Sequence, residues 1–450
     1  MPTIFVSCFH PLIGRNIIQT DILPTIVKSG YRIVVFVPHR KRSYFQQAYP
    51  YEGVIYEGIQ IDALARQRSS FLLKRLFRAM LSIDAARLLH GKQTYSLRYA
   101  LLVVCFYGPA AVLGKSSLFR RLMRYIDYRI YSVPEIFSKY FQAHQPRAVF
   151  ATDVFNEFDV ALSYAARERG VQVIGMVRSW DNLTRQGRMR SIPNRLLVWN
   201  PTLAVQAGRL DDVPAARITV VGIPHYDRYV GRPSLTRENF LISLGLDPKR
   251  KTVLFAPMGD IFLHDNPVDQ MAFNLLRATG LNIIVRLPPT RKVTIEGLDA
   301  TPSVYIDQPG VVFRAHEWAD REMSKADEDR LIHELAFADV VFPGPSSMLI
   351  DAAIYAKPMM LIAFDTSPNL PYKRSIRRYC DSPHVRQILD ACGVAIAQTP
   401  QDVDAFIANS HTMYDQLVDG VQRIVREQCW RLDGASSRRV AEVLIKYTHE

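Results

Sequence analysis

The sequence predicts an α/β protein of two doubly wound, Rossmann-like domains that face each other across a cleft. Three observations predict it. Strand-like and helix-like segments alternate in both halves, which argues for parallel sheets with helices on both faces. The strands are short, nearly continuous apolar runs, as expected where both faces are covered. A stretch rich in Gly, Pro and charge, Gly222–Asn239, separates the halves. It divides the chain into domains 1–225 and 240–425, with a final helix at 426–450 that packs back on the first.

In the first half, Thr3–Phe9 predicts the opening strand. Asn16–Lys28 has helical periodicity (Ile17, Ile18, Ile22, Leu23, Ile26, Val27) and stops at Ser29-Gly30. Arg32–Val37 is a buried strand. Ala148–Ala151 and Val171–Val177 are strands around a helix, Glu157–Arg169, that ends at Gly170; Arg195–Trp199 and Ile218–Val221 follow. In the second half, strands are predicted at Thr252–Ala256, Asn282–Leu287, Val340–Phe342, Met359–Ile362 and Val394–Ala397. Helices are predicted at Val268–Thr279, Asp327–Ala336 and Ser347–Tyr355. No period of about 20–50 residues repeats, so a solenoid is excluded.

With 450 residues, 48% apolar and 22% charged, the chain is of globular composition, which excludes disorder, collagen and coiled coil. Five scattered cysteines form no C-x-x-C pair. They fit a reducing cytosol and exclude a disulfide framework or zinc ribbon. The opening residues lack the pattern of a signal peptide. The most apolar window, Tyr99–Leu113, is 15 residues long and interrupted by Gly108 and Pro109, too short for a membrane span.

In open α/β sheets, ligands bind at the carboxyl ends of strands, so the candidate residues are those that follow strands. Phe342-Pro343-Gly344-Pro345-Ser346-Ser347 leads into a helix carrying Asp351. The free amides and positive dipole end of such a helix suit a phosphate. Ser346 and Ser347 add hydroxyls, and Asp351 is placed for a ribose diol. Gly259, in Ala256-Pro257-Met258-Gly259-Asp260, permits close backbone approach. Arg286, ending the next strand, is a candidate to neutralise a leaving phosphate.

In the first half the loop Cys8–Asn16 carries His10, a candidate general base, with Gly14, Arg15 and Asn16 behind it. Asp153, after another strand, competes for that role. Asp181 and Asn182 are placed to bind sugar hydroxyls, with Trp180 as an apolar platform. G-x-G-x-x-G, a Walker loop, H-E-x-x-H and G-x-S-x-G are all absent.

These motifs together resemble the GT-B fold glycosyltransferases, most of all the bacterial surface-polysaccharide group allied to CDP-glycerol glycerophosphotransferases. The carriers are Ser179-Trp180-Asp181-Asn182-Leu183-Thr184, Arg195-Leu196-Leu197-Val198-Trp199 and Val221-Gly222-Ile223-Pro224-His225-Tyr226-Asp227. They continue with Gly344-Pro345-Ser346-Ser347, Asp351-Ala352-Ala353, Glu427-Gln428-Cys429 and Asp433-Gly434-Ala435-Ser436, in order along nearly the whole chain. The resemblance implies a nucleotide-activated donor as co-substrate in the second half and an acceptor in the first, with no metal or other cofactor. Many relatives carry Arg-x-His-Pro where this chain has Arg286-Leu287-Pro288-Pro289. The missing His counts against polyol-phosphate transfer.

The expected function is therefore transfer of a sugar from a nucleotide sugar to a surface-polysaccharide or lipid-linked glycan acceptor. A CDP-glycerol-type polyol-phosphate transferase, a non-hydrolysing sugar-nucleotide epimerase and a non-catalytic nucleotide or glycan binder are the alternatives.

The formal net charge is +13. Between Arg66 and Tyr131, thirteen Lys/Arg face two acids, Asp84 and Asp127. Phe71–Leu89 has an amphipathic pattern with Lys74, Arg75 and Arg78 on one side. Ser96–Tyr131 adds Arg98, Lys115, Arg120, Arg121, Arg124 and Arg129. This pattern predicts peripheral attachment to an anionic membrane from the cytoplasmic face. Nucleic acid is not expected, since no binding module accompanies the charge.

Overall fold

The computed structural model describes residues 1–61, 68–81, 103–130, 135–260, 267–314 and 320–448. The chain divides into two compact units, Met1–Arg228 with Cys429–Glu450, and Tyr229–Gln428.

Unit 1 is built on seven parallel strands: β1 (Thr3–Ser7), β2 (Arg32–Pro38), β3 (Val54–Ile59), β4 (Ala148–Ala151), β5 (Gln172–Met176), β6 (Arg195–Val198) and β7 (Ile218–Val220). Their order is β3-β2-β1-β4-β5-β6-β7, that of a dinucleotide-binding sheet. The order reverses between β1 and β4, which pair directly (Ile4 with Ala148, Val6 with Phe150). β1 and β4 are wholly buried, as their unbroken apolar sequences require. Phe5, Phe36, Phe137 and Phe141 fill one face, with Phe5 and Phe36 centroids 4.8 Å apart, edge to face. The C-terminal helix Ser436–Tyr447 packs on the helix Ile22–Lys28. Its first amides, Ser436 N–H and Ser437 N–H, donate to the Asp227 carboxylate at 2.9 and 2.7 Å. A carboxylate there also complements the helix dipole.

Unit 2 repeats the plan. Its strands are β8 (Thr252–Ala256), β9 (Asn282–Arg286), β10 (Val304–Asp307), the short antiparallel pair β11 (Val311–Val312) and β12 (Arg321–Glu322), then β13 (Val340–Pro343), β14 (Met360–Ile362) and β15 (Ala395–Ala397). The main sheet runs β10-β9-β8-β13. A bridge from Val341 to Met359 links it to the parallel pair β14-β15. The order again reverses at the first strand of the unit, between β8 and β13.

One predicted helix breaks in two. Asn16–Lys28 forms a π-turn, Gly14–Ile18, and a helix that begins only at Ile22. The Thr20 hydroxyl donates to Ile17 O at 2.7 Å, a local bond that competes with the helical ladder. Such π-turns recur at functional sites, and this one follows His10.

The basic segment departs from expectation. Arg120 pairs with Asp212, and Arg124 with Asp211 and Asp212. Lys74 meets Glu157 at 2.7 Å. Counting charge along a window missed these acids because other segments supply them, so Lys74, Arg120 and Arg124 are paired and add no free charge to a rim. Lys115, Arg121 and Arg129 do remain exposed. Residues 66–67, 82–102 and 131, which carry the rest of that prediction, lie outside the described residues. Among the described residues no helix is long and apolar enough to cross a membrane.

Candidate functional site

In unit 1 the pairing of β1 with β4 brings the loops after both strands to one sheet edge. His10 caps the short helical turn Pro11–Ile13, its Nδ1 accepting from Leu12 N–H at 3.1 Å. Burial is the main cause that pushes the His10 pKa down, to about 3; Arg178 and Lys41 add to it, and Asp153 and Asp181 oppose it. The ring is therefore neutral, and its neutral form in this geometry carries the proton on Nε2. Asp153 is buried. One oxygen accepts from Arg178 Nε at 2.7 Å and the other from Phe155 N–H at 3.1 Å. Asn16 Nδ2 donates to Arg178 O at 3.4 Å.

Beneath this layer lies a polar cluster that sequence reasoning missed. Ser7 Oγ donates to Asp159 Oδ1 and receives Thr152 N–H at 2.9 Å; Asp153 N–H donates to the same Asp159 oxygen at 3.1 Å. Burial, reinforced by the Asp153 charge, pushes the Asp159 pKa up to about 8. Arg178 was open to discovery, since it directly follows an apolar strand. Asp159 lies in the first turn of the helix Glu157–Glu168, where an acid reads as an ordinary complement to the helix dipole.

Asp159 gives a pH prediction. Its folded pKa lies above the unfolded carboxylate value, so the native state holds the proton more tightly. Its stabilising contribution is complete below about pH 4 and is lost as pH rises through about 8. Asp159→Asn, which mimics the protonated carboxyl, is expected to flatten the fall in unfolding free energy over that window. Urea denaturation at a series of pH values checks this, and an unchanged slope refutes it.

The other acceptor candidates are placed differently from expectation. Trp180 is buried, so it anchors its turn and offers no open platform. Asp181 pairs with Arg185 at 3.3 Å. Asn182 is 0% exposed, and among the described residues neither side-chain polar atom has a hydrogen-bond partner, a costly state for a buried amide. Gly14 and Asn16 are buried in the π-turn, and Arg15 is half-buried.

In unit 2 the loops after β8 and β13 meet at the corresponding edge. Gly344 N–H donates to Ala256 O at 2.9 Å. A Cβ on Gly344 would lie 2.6 Å from Met258 Cγ, so only glycine allows this approach. Gly259 adopts φ +89°, a conformation glycine tolerates. Its amide does not face a ligand, however: Met258 N–H and Gly259 N–H donate to Asp269 at 3.0 and 2.9 Å. Asp269, in the first turn of Val268–Ala278, is a second residue the sequence reading missed.

Ser346 Oγ accepts from Met348 N–H at 3.3 Å, a normal cap. Ser347 is half-buried and its hydroxyl caps nothing, which leaves it available. Asp351 is buried in the helix Met348–Ile354 instead of reaching outward to a diol. Arg286 also departs from its expected role. Nη1 bonds Asp307 at 2.6 Å and Glu334 at 2.8 Å, and Nη2 donates to Asp327 O at 3.1 Å. A guanidinium so engaged holds β9 to β10 and the helix Lys325–Phe337, and is not free for a phosphate.

Both units thus carry a sheet whose order reverses at its first strand and a polar loop pair at that point, with Gly344 allowing the close approach in unit 2. The fold is GT-B. Solved structures share it over the full chain. The UDP-GlcNAc 2-epimerase of Neisseria meningitidis bound to UDP-GlcNAc aligns with a TM-score of 0.56 at 10% identity, over 99% of this chain and 100% of its own. The wall teichoic acid polymerase TagF, after a CDPG soak, aligns at 0.52 and 12% identity, over 100% and 88%. An Arabidopsis thaliana UGT complexed with UDP aligns at 0.52 and 10% identity, over 100% of both. The sequence matches no family model and no curated protein.

Proposed function

We propose that this chain is a glycosyltransferase that moves a sugar from a nucleotide-sugar donor held by unit 2 to a surface-polysaccharide or lipid-linked glycan held by unit 1. The observation that carries the reading is the Gly344–Ser347 turn at the reversal point of unit 2, with the unengaged Ser347 hydroxyl ahead of a helix. Neighbours of this fold bound to UDP or UDP-GlcNAc support a nucleotide ligand. The acceptor hydroxyl attacks the anomeric carbon, its proton passes to a base, and the nucleotide leaves with the bonding electrons. No resident metal or cofactor enters this scheme.

Polyol-phosphate transfer is disfavoured by Pro288 in place of a histidine. An epimerase is the second reading, favoured by the neighbour of that activity and by the carboxylates Asp153 and Asp159. Yet Arg178 holds the first and burial protonates the second. UDP-GlcNAc incubated without acceptor and followed by NMR separates the two: a C2 epimer refutes the transferase. The reading also includes attachment to an anionic membrane through the helix Ser117–Ile130. Leu118, Leu122 and Tyr125 are 76%, 50% and 56% exposed along one stripe, beside exposed Arg121 and Arg129. Apolar side chains flanked by cations suit a lipid interface.

Ser347→Ala is expected to weaken nucleotide binding by about 1–2 kcal/mol, the scale of a hydrogen bond to a charged group. Stability should stay within about 0.5 kcal/mol, because the hydroxyl caps nothing. Calorimetry across nucleotide sugars and CDP-glycerol checks this. No binding by wild type, or unchanged affinity in the variant, refutes the donor site.

A further inference from the structure

We propose that unit 1 carries a second ligand site, for a phosphate-bearing anion, at the amino-terminal edge of its sheet. An open cavity of about 410 Å³ lies there, lined by Arg124, Arg167, Arg190 and Arg217 with Ser191 and Asn194 among the polar residues, and among the described residues by no acid. Gln172 of its wall begins β5, Asn194 precedes β6 and Arg217 precedes β7. His10 and Asp153 follow the opposite ends of β1 and β4. At about 3.3 Å per residue the two edges lie roughly 15 Å apart.

The four guanidiniums differ in how they are held. Arg190 is buried and pairs with Asp127 at 2.8 Å, and Arg124 pairs with Asp211 at 3.2 Å. These acids stand behind the cavity wall and fix both side chains in place. Arg167 lies over the Tyr128 ring at 4.4 Å, which fixes its plane. Neither Arg167 nor Arg217 has an ion pair among the described residues, and both are exposed. Arg124 and Arg190 have their donors turned to these acids and to backbone carbonyls, so an anion entering the cavity is held chiefly by the exposed Arg167 and Arg217, with the other two adding positive potential behind it. Planar forks with several N–H donors each match the oxygens of a phosphate, and more than one phosphate fits the volume.

The same ligand chemistry has two sources. Arg124 belongs to the helix Ser117–Ile130. At about 100° per residue, the exposed stripe of Leu118, Leu122 and Tyr125 lies about a third of a turn around that helix from Arg124. A phosphate headgroup bearing an apolar tail has a surface for both parts. A soluble diphosphate needs only the arginines.

The test uses the full chain and two probes: inorganic pyrophosphate by titration calorimetry, and phosphatidylcholine vesicles with and without phosphatidic acid by co-sedimentation. The variant carries Arg167→Gln and Arg217→Gln. Both positions are exposed and without ion pairs, so folding is expected to persist, with circular dichroism as the check. Binding of at least one probe is expected to weaken about tenfold or more in this variant and to be unchanged in Ser347→Ala. Pyrophosphate binding alone identifies a soluble ligand, and selective binding of phosphatidic acid vesicles a lipid headgroup. The site is refuted if neither probe binds wild type, if the double variant binds as wild type does, or if the loss follows Ser347 instead.

Discussion

Arg286→Ala is expected to lower unfolding free energy by about 3–5 kcal/mol, the cost of removing one partner from a buried ion pair. The guanidinium is buried at the end of β9 and bonds Asp307 and Glu334. Asp307 keeps a second partner, Arg330, at 2.7 Å. Glu334 has no second ion-pair partner among the described residues, and burial already pushes its pKa up to about 8. Without Arg286 that rise grows, so the native state holds the proton still more tightly. The destabilisation is therefore smallest in acid, where the carboxyl is protonated in both states, and increases as pH climbs through the neutral range. Urea titration measures the loss, and nucleotide affinity per folded molecule separates it from binding. A variant with the wild-type midpoint but lost nucleotide affinity would restore Arg286 to the donor site.

The Arg286 case shows which part of the molecule was legible. The strands could be read because both faces are covered and their sequences are uninterrupted runs such as Arg32–Val37. The loops at their carboxyl ends could be read because glycine, proline and polar residues directly follow those runs. Commitment of a side chain could not be read. Arg286, Gly259 and Arg120 are satisfied by Glu334, Asp269 and Asp212, residues 48, 10 and 92 positions away. Only the tertiary fold makes such pairs neighbours. Asp159 was hidden in the same way, since its hydroxyl partner Ser7 is 152 positions away. A sequence names residues able to meet a ligand; the packing decides which are already taken.

His10→Ala is expected to lower kcat by about 10²–10⁴-fold, the range of a lost general base, with donor affinity unchanged. Reach separates His10 from Asp153. His10 is half-buried and its Nε2 edge carries no hydrogen bond among the described residues, whereas Asp153 is buried with both oxygens engaged. With its pKa pushed down to about 3, His10 stays unprotonated above about pH 5, so the rate should show no acid limb from this residue between pH 8 and 5. For Nε2 to take a proton, the neutral ring must give up the Leu12 amide and carry its own proton on Nδ1. His10→Gln probes that step, because glutamine preserves an acceptor for Leu12 and a donor beyond it but takes up no proton. Turnover as slow as in His10→Ala identifies a base. Turnover near wild type makes His10 a positioning donor instead. If Asp153→Asn is inactive while His10→Ala still turns over, the proton goes to Asp153, and Arg178 must then release it when the acceptor binds.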